Sequence, residues 1–379
     1  MYRRYFIASA IFAAFAGLTI VAYSFLANPY AMFVSVTGLE QYERKTDLFY
    51  HLRLHKPYAM ERRKATHLIV GSSRSARLNP DVFGEKGYNA SMPGIRLSEV
   101  RRLIEHAQAI QPLDSLYIGV DYYMFRASKM SLTSHYSDER LRKISPTLRD
   151  RLAYRMQSVK DAWSTLLSID AILASAKEIS GIGQGQRIYF DNGTWASNSP
   201  GKPPKWLYAY VNRHKMEEFK SAGGDPTMVE FEQLLKFTGD NNIPTTILIS
   251  PFHGSVMNTV RLADSWTSYM SWQRSVVAAV EDAKGQFEVV GLETSRKITL
   301  EAMNQDLPFY LDGVHYKLSS GREIMNCLVG ESCNKNIRLV RLNNESIDQY
   351  LKNVDTLMNL YPRQRPDDYN SLTKWLDRD

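Results

Sequence analysis

The stretch HLIVGSSR, residues 67–74, decides the fold class. It holds a short, non-alternating apolar run that ends in Gly71, a pattern typical of a buried parallel strand. Glycine permits a sharp turn, and open α/β folds bind ligands at this carboxyl edge of the sheet. A helix after the turn would point its free N–H groups at the same place. The stretch therefore predicts a first strand that displays Ser73 at its end.

Runs of the same kind follow along the chain, separated by segments in which apolar residues have helical spacing. Further strands are predicted at 88–90, 115–120, 245–249 and 287–290. Helices are predicted at 97–107, 228–237 and 266–283. Short apolar strands that alternate with helices indicate a parallel sheet covered on both faces. The predicted fold class is therefore α/β.

The rhythm of strands and helices divides the chain into segments. Residues 65–333 are predicted to form the α/β domain. Residues from about 126 to 224 break the rhythm, and we interpret them as an inserted cap region over the sheet edge. Residues 31–64 have no sustained periodicity and predict a lead-in or stalk. Residues 334–379 are polar and predict a C-terminal extension.

Composition excludes several classes of protein. Of the 379 residues, 44% are hydrophobic and 23% charged, as in globular proteins, so a disordered or fibrous chain is excluded. The net charge of +7 comes from scattered Lys and Arg residues. No basic stripe interleaved with aromatic residues is present, so the sequence does not favour a nucleic-acid partner.

The N-terminus carries a predicted membrane anchor, within residues 1–30. Residues 5–27 contain no charge and are long enough to cross a bilayer as a helix. Arg3 and Arg4 precede them, and by the positive-inside rule they stay in the cytoplasm while the rest is exported. The alternative is a cleaved signal peptide. Phe25-Leu26-Ala27 is a poor cleavage site, so we favour a retained single-pass anchor.

Two cysteines occur, Cys327 and Cys333. Their spacing suits neither a zinc site nor a redox Cys-x-x-Cys motif. An oxidising compartment would let them pair. They are therefore either a local staple or two unrelated thiols. The sequence indicates no metal site and no cofactor.

A second polar motif, Asp312-Gly313-Val314-His315, follows the last predicted strand. A serine hydroxyl becomes a nucleophile when an imidazole takes its proton, and a carboxylate fixes the tautomer of that imidazole. Asp312 and His315 lie three residues apart and can face Ser73 from one turn. Taken alone, the motif is equally typical of an exposed polar loop with an incidental histidine.

Together, the Gly-x-Ser turn at Ser73 and the Asp-x-x-His motif resemble the first and last sequence blocks of the SGNH/GDSL hydrolase superfamily. The resemblance spans about residues 66–330. It implies a flavodoxin-like three-layer α/β/α sandwich with Ser73, Asp312 and His315 as a catalytic triad. The superfamily includes esterases, lipases, and acyl transferases or deacylases that act on carbohydrate.

The resemblance also implies an oxyanion hole, built from Ser73, Gly94 and position 121. Gly94 matches the family's second block, which offers a backbone N–H. The third block is normally Gly-x-Asn, but this chain has Asp121. An ionised carboxylate repels a developing oxyanion. Either Asp121 is protonated, or it orients another group, or the hole relies on the N–H groups of Ser73 and Gly94, or the site is catalytically weak.

The chain resembles membrane-anchored SGNH-like proteins of bacterial exopolysaccharide O-acetylation in its anchor, its Gly-Ser-Ser-Arg turn, its Asn-Ala-Ser segment at residues 89–91 and Asp121. This resemblance implies a single-pass protein of the inner membrane whose domain faces the periplasm. It implies a polysaccharide substrate and a multi-pass membrane acyltransferase as acyl donor. The alternative is a catalytically inactive SGNH-like domain that binds polysaccharide or scaffolds a secretion complex, and Asp121 keeps that alternative open.

Three further residues are weaker candidates for binding an anionic sugar or lining the cleft: Arg74, Arg96 and His253. The arginines are predicted near the site and offer planar, permanently charged donors. They are equally typical of a solvated helix surface. His253 follows a predicted strand, and a loop histidine is the plainer interpretation.

Overall fold

The computed structural model describes residues 2–34, 45–125, 136–182, 187–197, 226–250, 252–294, 296–303 and 307–376. Residues 35–44 of the predicted lead-in lie outside the described residues. So do 126–135, 183–186 and 198–224 of the predicted insertion. All three proposed triad residues lie within the described ranges.

The described residues form a mixed α/β fold around a six-stranded sheet. The strands of the sheet are β1 His67–Gly71, β2 Gly87–Asn89, β3 Ser115–Val120, β6 Thr245–Ile249, β7 Phe287–Thr294 and β8 Ile337–Leu342. A separate hairpin consists of β4 Arg187–Tyr189 and β5 Trp195–Ser197. The α/β fold class and the five predicted strands are confirmed. β8 and the β4–β5 hairpin were not predicted.

The sheet order is β2-β1-β3-β6-β7-β8. Every pair is parallel except β7 with β8, which is antiparallel at the edge. From β1 the chain moves toward one edge of the sheet to form β2, whereas from β3 it moves toward the opposite edge to form β6. This reversal opens a crevice at the carboxyl ends of β1 and β3, which is the usual ligand position in such sheets.

Residues of the central strands alternate between two hydrophobic cores. Leu68, Val70 and Ile118 belong to one cluster, whereas Ile69 and Leu248 belong to the other. Since side chains alternate across a strand, the two clusters lie on opposite faces of the sheet. Both faces are therefore covered, which explains why the strands are apolar throughout.

The helices connect and cover the strands. They are α1 Tyr2–Ala27, α2 Leu52–Arg63, α3 Leu97–Ile110, α4 Leu148–Leu167, α5 Ile169–Ser180, α6 Pro226–Asp240, α7 Gly254–Leu262, α8 Trp266–Asp282, α9 Arg296–Thr299, α10 Leu318–Leu328, α11 Ile347–Gln364 and α12 Pro366–Leu376. The helices predicted at 97–107, 228–237 and 266–283 are confirmed as α3, α6 and α8.

Helix α1 is long and apolar enough to cross a membrane. Its C-terminal end is tied directly to the domain. Lys45 Nζ donates to the carbonyl oxygens of Ala27 and Asn28, at 3.2 and 2.9 Å. Arg62 of α2 donates to the carbonyl oxygens of Ala31 and Met32. Carbonyls at a helix end that lack intrahelical partners are thereby satisfied.

The segments outside the predicted domain belong to its core. Leu52, Ala59 and Met60 of α2 are buried in the larger cluster, so the described part of the lead-in is a packed helix and not a stalk. Likewise β8 completes the sheet, and Tyr350 of α11 joins the same cluster. A polar C-terminal extension was predicted there because β8 is short and carries arginines on its exposed positions.

Cys327 and Cys333 form a disulfide. The bond joins the end of α10 to the loop that leads into β8. Of the two interpretations of this pair, the structure contains the short-range disulfide and not two unrelated thiols.

Candidate active site

Ser73 lies on the turn that follows β1, at the carboxyl edge of the sheet. Gly71 ends the strand where the backbone comes very close to β3. A Cβ atom at position 71 would lie 2.4 Å from the carbonyl oxygen of Gly119. Only glycine fits this approach. The glycine thus allows the turn to form against β3 and leaves Ser73 half-buried, beside the crevice.

The turn is not followed by the long helix that was expected. A single turn of 3₁₀ helix, Ser75–Arg77, comes next, and Leu78 and Asn79 are extended. Proline disfavours the helical conformation in the residue before it, and Pro80 follows Asn79. A strong helix dipole at Ser73 is therefore absent from the described structure. Asn89 braces the turn instead, because its side-chain amide donates to the carbonyl oxygens of Ser75 and Leu78.

Asp312 and His315 lie on a tight loop closed by a bridge between Tyr310 and Tyr316. The Leu311 N–H donates to the His315 carbonyl at 2.8 Å, which narrows the loop further. Gly313 has a φ of +74°, in the left-handed region that favours glycine. The side chains of Asp312 and His315 are mostly buried, with 12% and 16% of their surface exposed.

The structure brings the three predicted triad residues together. Ser73 Oγ lies 2.9 Å from His315 Nε2, although 242 residues separate them in the chain. On the other side of the ring, His315 Nδ1 lies 2.8 Å from Asp312 Oδ2. Asp312 accepts the Nδ1–H, so the lone pair of Nε2 faces the serine hydroxyl. This is the arrangement in which an imidazole removes a serine proton.

The loop also favours the ionised form of Asp312. Burial by itself raises the pKa of this carboxyl. Hydrogen bonds from the His315 ring and from the backbone N–H groups of His315 and Val314 outweigh burial and hold the pKa of Asp312 below its ordinary value. The carboxylate therefore keeps its charge where an imidazolium would need a counter-ion.

Asp121 follows β3 and lies beside the Ser73 turn, but it does not act as the predicted oxyanion donor. Its Oδ1 accepts from Arg74 Nη1 at 2.5 Å, and its Oδ2 accepts from Ser72 Oγ. A carboxylate paired with arginine has acceptors only. Of the four alternatives for Asp121, the geometry matches the one in which it orients other groups.

Arg74 connects the ends of β1 and β3 with the histidine loop. Besides Asp121, it donates from Nε to the Val314 carbonyl at 3.1 Å. Its guanidinium lies 3.8 Å from the centre of the Phe252 ring. Burial lowers the pKa of Arg74, but Asp121, together with the nearby tyrosines Tyr316, Tyr269 and Tyr310, outweighs burial and raises that pKa above its ordinary value. Arg74 is 3% exposed, so it holds the site together and cannot present its charge to a sugar.

Gly94 lies on the loop after β2, and this loop is attached to the Ser73 turn. The Met92 N–H donates to the Gly71 carbonyl at 3.0 Å. Gly94 itself is exposed with a φ of +61°. The backbone N–H of Gly94 therefore remains a candidate donor to an oxyanion. It would act from the loop after β2.

The remaining weak candidates occupy different environments. Arg96 is half-buried at the start of α3. His253 is fully buried as the N-cap of α7, where its Nδ1 accepts from the Ser255 N–H. Burial lowers the pKa of His253 to about 3. His253 therefore does not line an open cleft. It supports the triad loop through its backbone N–H, which donates to the Gly313 carbonyl at 3.0 Å.

The sequence interpretation missed the role of the β4–β5 hairpin. Arg77 lies 4.4 Å above the Trp195 ring and is buried. Burial lowers the pKa of Arg77 to about 10, against the attraction of Asp312. Lys56 of α2 donates to the carbonyl oxygen of Asn89, at the end of β2, and to that of Gly193, between β4 and β5. It therefore joins the hairpin to the main sheet. The sequence had assigned residues 187–197 only to the inserted cap region, without strands of their own.

Within the described ranges, no group of three or more His, Cys, Asp or Glu side chains is arranged to hold a metal ion. In comparisons with known proteins, no family model, no curated protein and no solved structure matches this chain. The chemistry of the site is therefore argued from its own geometry.

Proposed function

We propose that this chain is a membrane-anchored serine acyltransferase or esterase of the SGNH type, acting on O-acyl groups of a cell-surface polysaccharide or exopolysaccharide. The observation that carries the proposal is the hydrogen-bonded series from Asp312 through His315 to Ser73. A serine paired with an imidazole that a carboxylate orients is what nucleophilic acyl transfer requires.

The order of the parallel strands supports the proposed fold family. Counted along the main sheet alone, β2-β1-β3-β6-β7 is the order 2-1-3-4-5. This is the order of flavodoxin-like α/β/α sandwiches. Ser73 follows strand 1 and Asp121 follows strand 3, at the point where the winding direction reverses. The proposed site is thus where such a sheet binds its ligand.

The proposed reaction has two halves. Ser73 Oγ attacks the acyl carbonyl carbon while its proton passes to His315 Nε2. The bond from the acyl carbon to the donor oxygen breaks, and His315 returns the proton to that oxygen. A sugar hydroxyl, or water, then attacks the acyl-serine and gives its proton to Nε2. The ester bond to Ser73 breaks, and Ser73 recovers the proton.

The negative oxygen of each tetrahedral intermediate needs hydrogen-bond donors. Because Asp121 is occupied by Arg74 and Ser72, the proposed donors are the backbone N–H groups of Ser73 and Gly94. Such a hole lacks the side-chain amide of the family's third block. We infer a slower enzyme, since the loss of one donor costs about 10²–10³ in rate elsewhere.

The proposed location is the bacterial inner membrane, with the domain in the periplasm. Helix α1 supports a single-pass anchor, and Arg3 and Arg4 before it support a cytoplasmic N-terminus. The Cys327–Cys333 disulfide fits an oxidising compartment. A multi-pass membrane acyltransferase would be a suitable acyl donor there.

The test uses the full chain in detergent and a fluorophosphonate, which reacts with activated serines. We expect one label, mapped to Ser73 by peptide mass, and its loss in Ser73→Ala and His315→Ala. Ser319→Ala, at an exposed serine on α10, is the matched control and should label like wild type. Absence of labelling in a folded wild-type protein would overturn the proposal.

The inactive-scaffold alternative rests on one observation, the missing donor at Asp121. It predicts a folded chain that binds oligosaccharide but does not label. If Ser73 is labelled, the next experiment supplies acetyl-ester substrates with and without oligosaccharide acceptors. The ratio of acyl-sugar to free acid among the products then distinguishes a transferase from an esterase.

A further inference from the structure

Helices α4 and α5 form a hairpin that displays a long apolar face to the outside. The exposed side chains include Leu152, Met156, Val159, Trp163 and Leu167 of α4 and Leu173 of α5. On α4 they recur every three or four residues, so they share one face of the helix. Met156 is 72% exposed and Trp163 58%, which is unusual for an apolar stripe of a water-soluble surface.

The hairpin packs against α1. Burial on α1 follows one stripe: Gly17 and Val21 are half-buried, and Ser24 and Ala27 are buried. This spacing of three to four residues is that of a helix lying lengthwise against neighbours. Lys45 joins the two elements, since its Nζ lies 3.0 Å from Glu178 of α5 and also holds the end of α1. The apolar face of the hairpin is therefore continuous with that of α1.

The length of α1 decides where the hairpin lies. The uncharged residues of α1 begin at position 5, and its packing against other elements begins at Ala16. Residues 5–15 are about 16 Å of helix, whereas the hydrocarbon layer is about 30 Å thick. About half of any crossing is thus made by the residues that contact the hairpin. Helix α1 cannot span a bilayer unless the hairpin enters the same layer.

Charge on α4 agrees with this placement. Arg151, Arg155 and Lys160 are exposed and interleave with the apolar stripe. Lysine and arginine can lay their aliphatic stems along an apolar face and keep their charged ends in the headgroup region. Basic residues in this position attract anionic headgroups.

We propose that the α4–α5 hairpin is a second membrane contact, and that its apolar face is covered by lipid of the leaflet at the C-terminal end of α1. The inference rests on the proposed membrane anchoring and is independent of the triad chemistry. It makes the chain's attachment to the bilayer a three-helix contact, although only α1 is long and apolar enough, within the described residues, to cross.

The test uses the full chain in nanodiscs of phosphatidylethanolamine and phosphatidylglycerol. The photoreactive residue benzoylphenylalanine replaces Val159 or Leu173, one at a time. Phe12 of α1 is the anchor control. Val229, an exposed apolar residue of α6, is the matched control away from α1. After irradiation, lipid adducts are identified by peptide mass.

We expect lipid adducts at Val159 and Leu173 at a yield within about threefold of Phe12, and at least tenfold above Val229. Adducts at Phe12 alone would overturn the hairpin contact and leave the anchor intact. No adduct at Phe12 would overturn both. Crosslinks from position 159 or 173 to another protein in native membranes, in place of lipid, would also overturn the proposed contact between the hairpin and lipid. Fluorophosphonate labelling of the same samples reports separately on the proposed enzyme.

Discussion

Arg74 Nη1 lies 2.5 Å from Asp121 Oδ1, and both side chains are almost completely buried. The ion pair joins the end of β1 to the end of β3, directly beneath the turn that carries Ser73. The superfamily that the sequence resembles normally has an asparagine at the corresponding position of its third block. In this chain Asp121 instead pairs with Arg74 and accepts from Ser72, so it supports the turn.

The first prediction concerns Asp121→Asn, which introduces the residue typical of the superfamily that the sequence resembles. We expect a loss of about 3–5 kcal/mol in the free energy of unfolding, because Arg74 is left buried without its counter-ion. Fluorophosphonate labelling of Ser73 should slow as well. Urea unfolding in detergent measures the first effect. The control is Asp348→Asn, which removes the exposed pair with Arg274 and should cost about 0–1 kcal/mol. Unchanged stability together with faster labelling in Asp121→Asn would contradict the supporting role.

The second prediction concerns Asp312→Asn. An asparagine can present its amide to His315 Nδ1 and so stabilise the tautomer whose Nε2 carries the proton. Ser73 then loses its base, and we expect labelling to slow by about 10³–10⁴-fold, the scale of such substitutions in other serine enzymes. The second-order labelling rate is the measurement. Asp282→Asn, at the exposed end of α8, serves as the surface control. Wild-type rates in Asp312→Asn would show that Asp312 does not orient the base.

The third prediction concerns acid stability. Burial lowers the pKa of His253 to about 3 in the folded state, against about 6.5 when unfolded. Between these values the unfolded chain binds more protons, so the contribution of His253 is fully present above about pH 6.5 and declines as the pH falls toward 3. His253→Asn keeps an N-cap acceptor but cannot titrate. We expect the urea midpoint of wild type to fall more steeply than that of the variant between pH 7 and pH 4. Parallel curves would contradict the buried neutral imidazole.

The fourth prediction concerns the disulfide. Cys327 and Cys333 are six residues apart, and chain entropy assigns such a short loop about 2 kcal/mol. We expect the double substitution Cys327→Ser and Cys333→Ser to lower the free energy of unfolding by about that amount and to leave labelling of Ser73 unchanged. Peptide mapping without reductant first establishes the bond. A loss of labelling would mean that α10, which packs near the turn at Arg77, transmits the change to the site.

Much of the fold could be predicted because the central strands are continuous apolar runs. Residues 115–120 and 245–249 were predicted at their observed bounds. By contrast β8 contains Arg338 and Arg341 among its apolar residues and pairs antiparallel at the edge of the sheet, and its residues were assigned to a polar C-terminal extension. The lead-in was misjudged for a similar reason. Helix α2 contains a proline, Pro57, and charged residues such as Arg62 and the buried Lys56. Its sequence therefore does not have the apolar periodicity that predicts a packed helix.

The site could be predicted only where a motif is local. Asp312 and His315 are on one loop, and the sequence alone indicated that they could act together. The pairing of Asp121 with Arg74 joins residues 47 apart, and nothing in either local stretch specifies it. Arg77 and Trp195, which stack on each other, are separated by even more residues in the sequence. His253 was a candidate for the cleft because it follows a strand, with a loop histidine as the plainer interpretation, but it is the N-cap of α7 and is buried.

The attachment of α1 to α2 has a mechanical consequence. Arg62 donates to the backbone directly after α1, and Lys45 donates to the carbonyls at its end, so the apolar helix is joined directly to the α/β fold. A domain on a flexible tether can change its distance from the helix that anchors it, whereas these hydrogen bonds hold this domain against the end of α1. They therefore also fix the position of Ser73 relative to the end of α1. In the proposed enzyme, acyl donor and acceptor must therefore both come to Ser73 at that position.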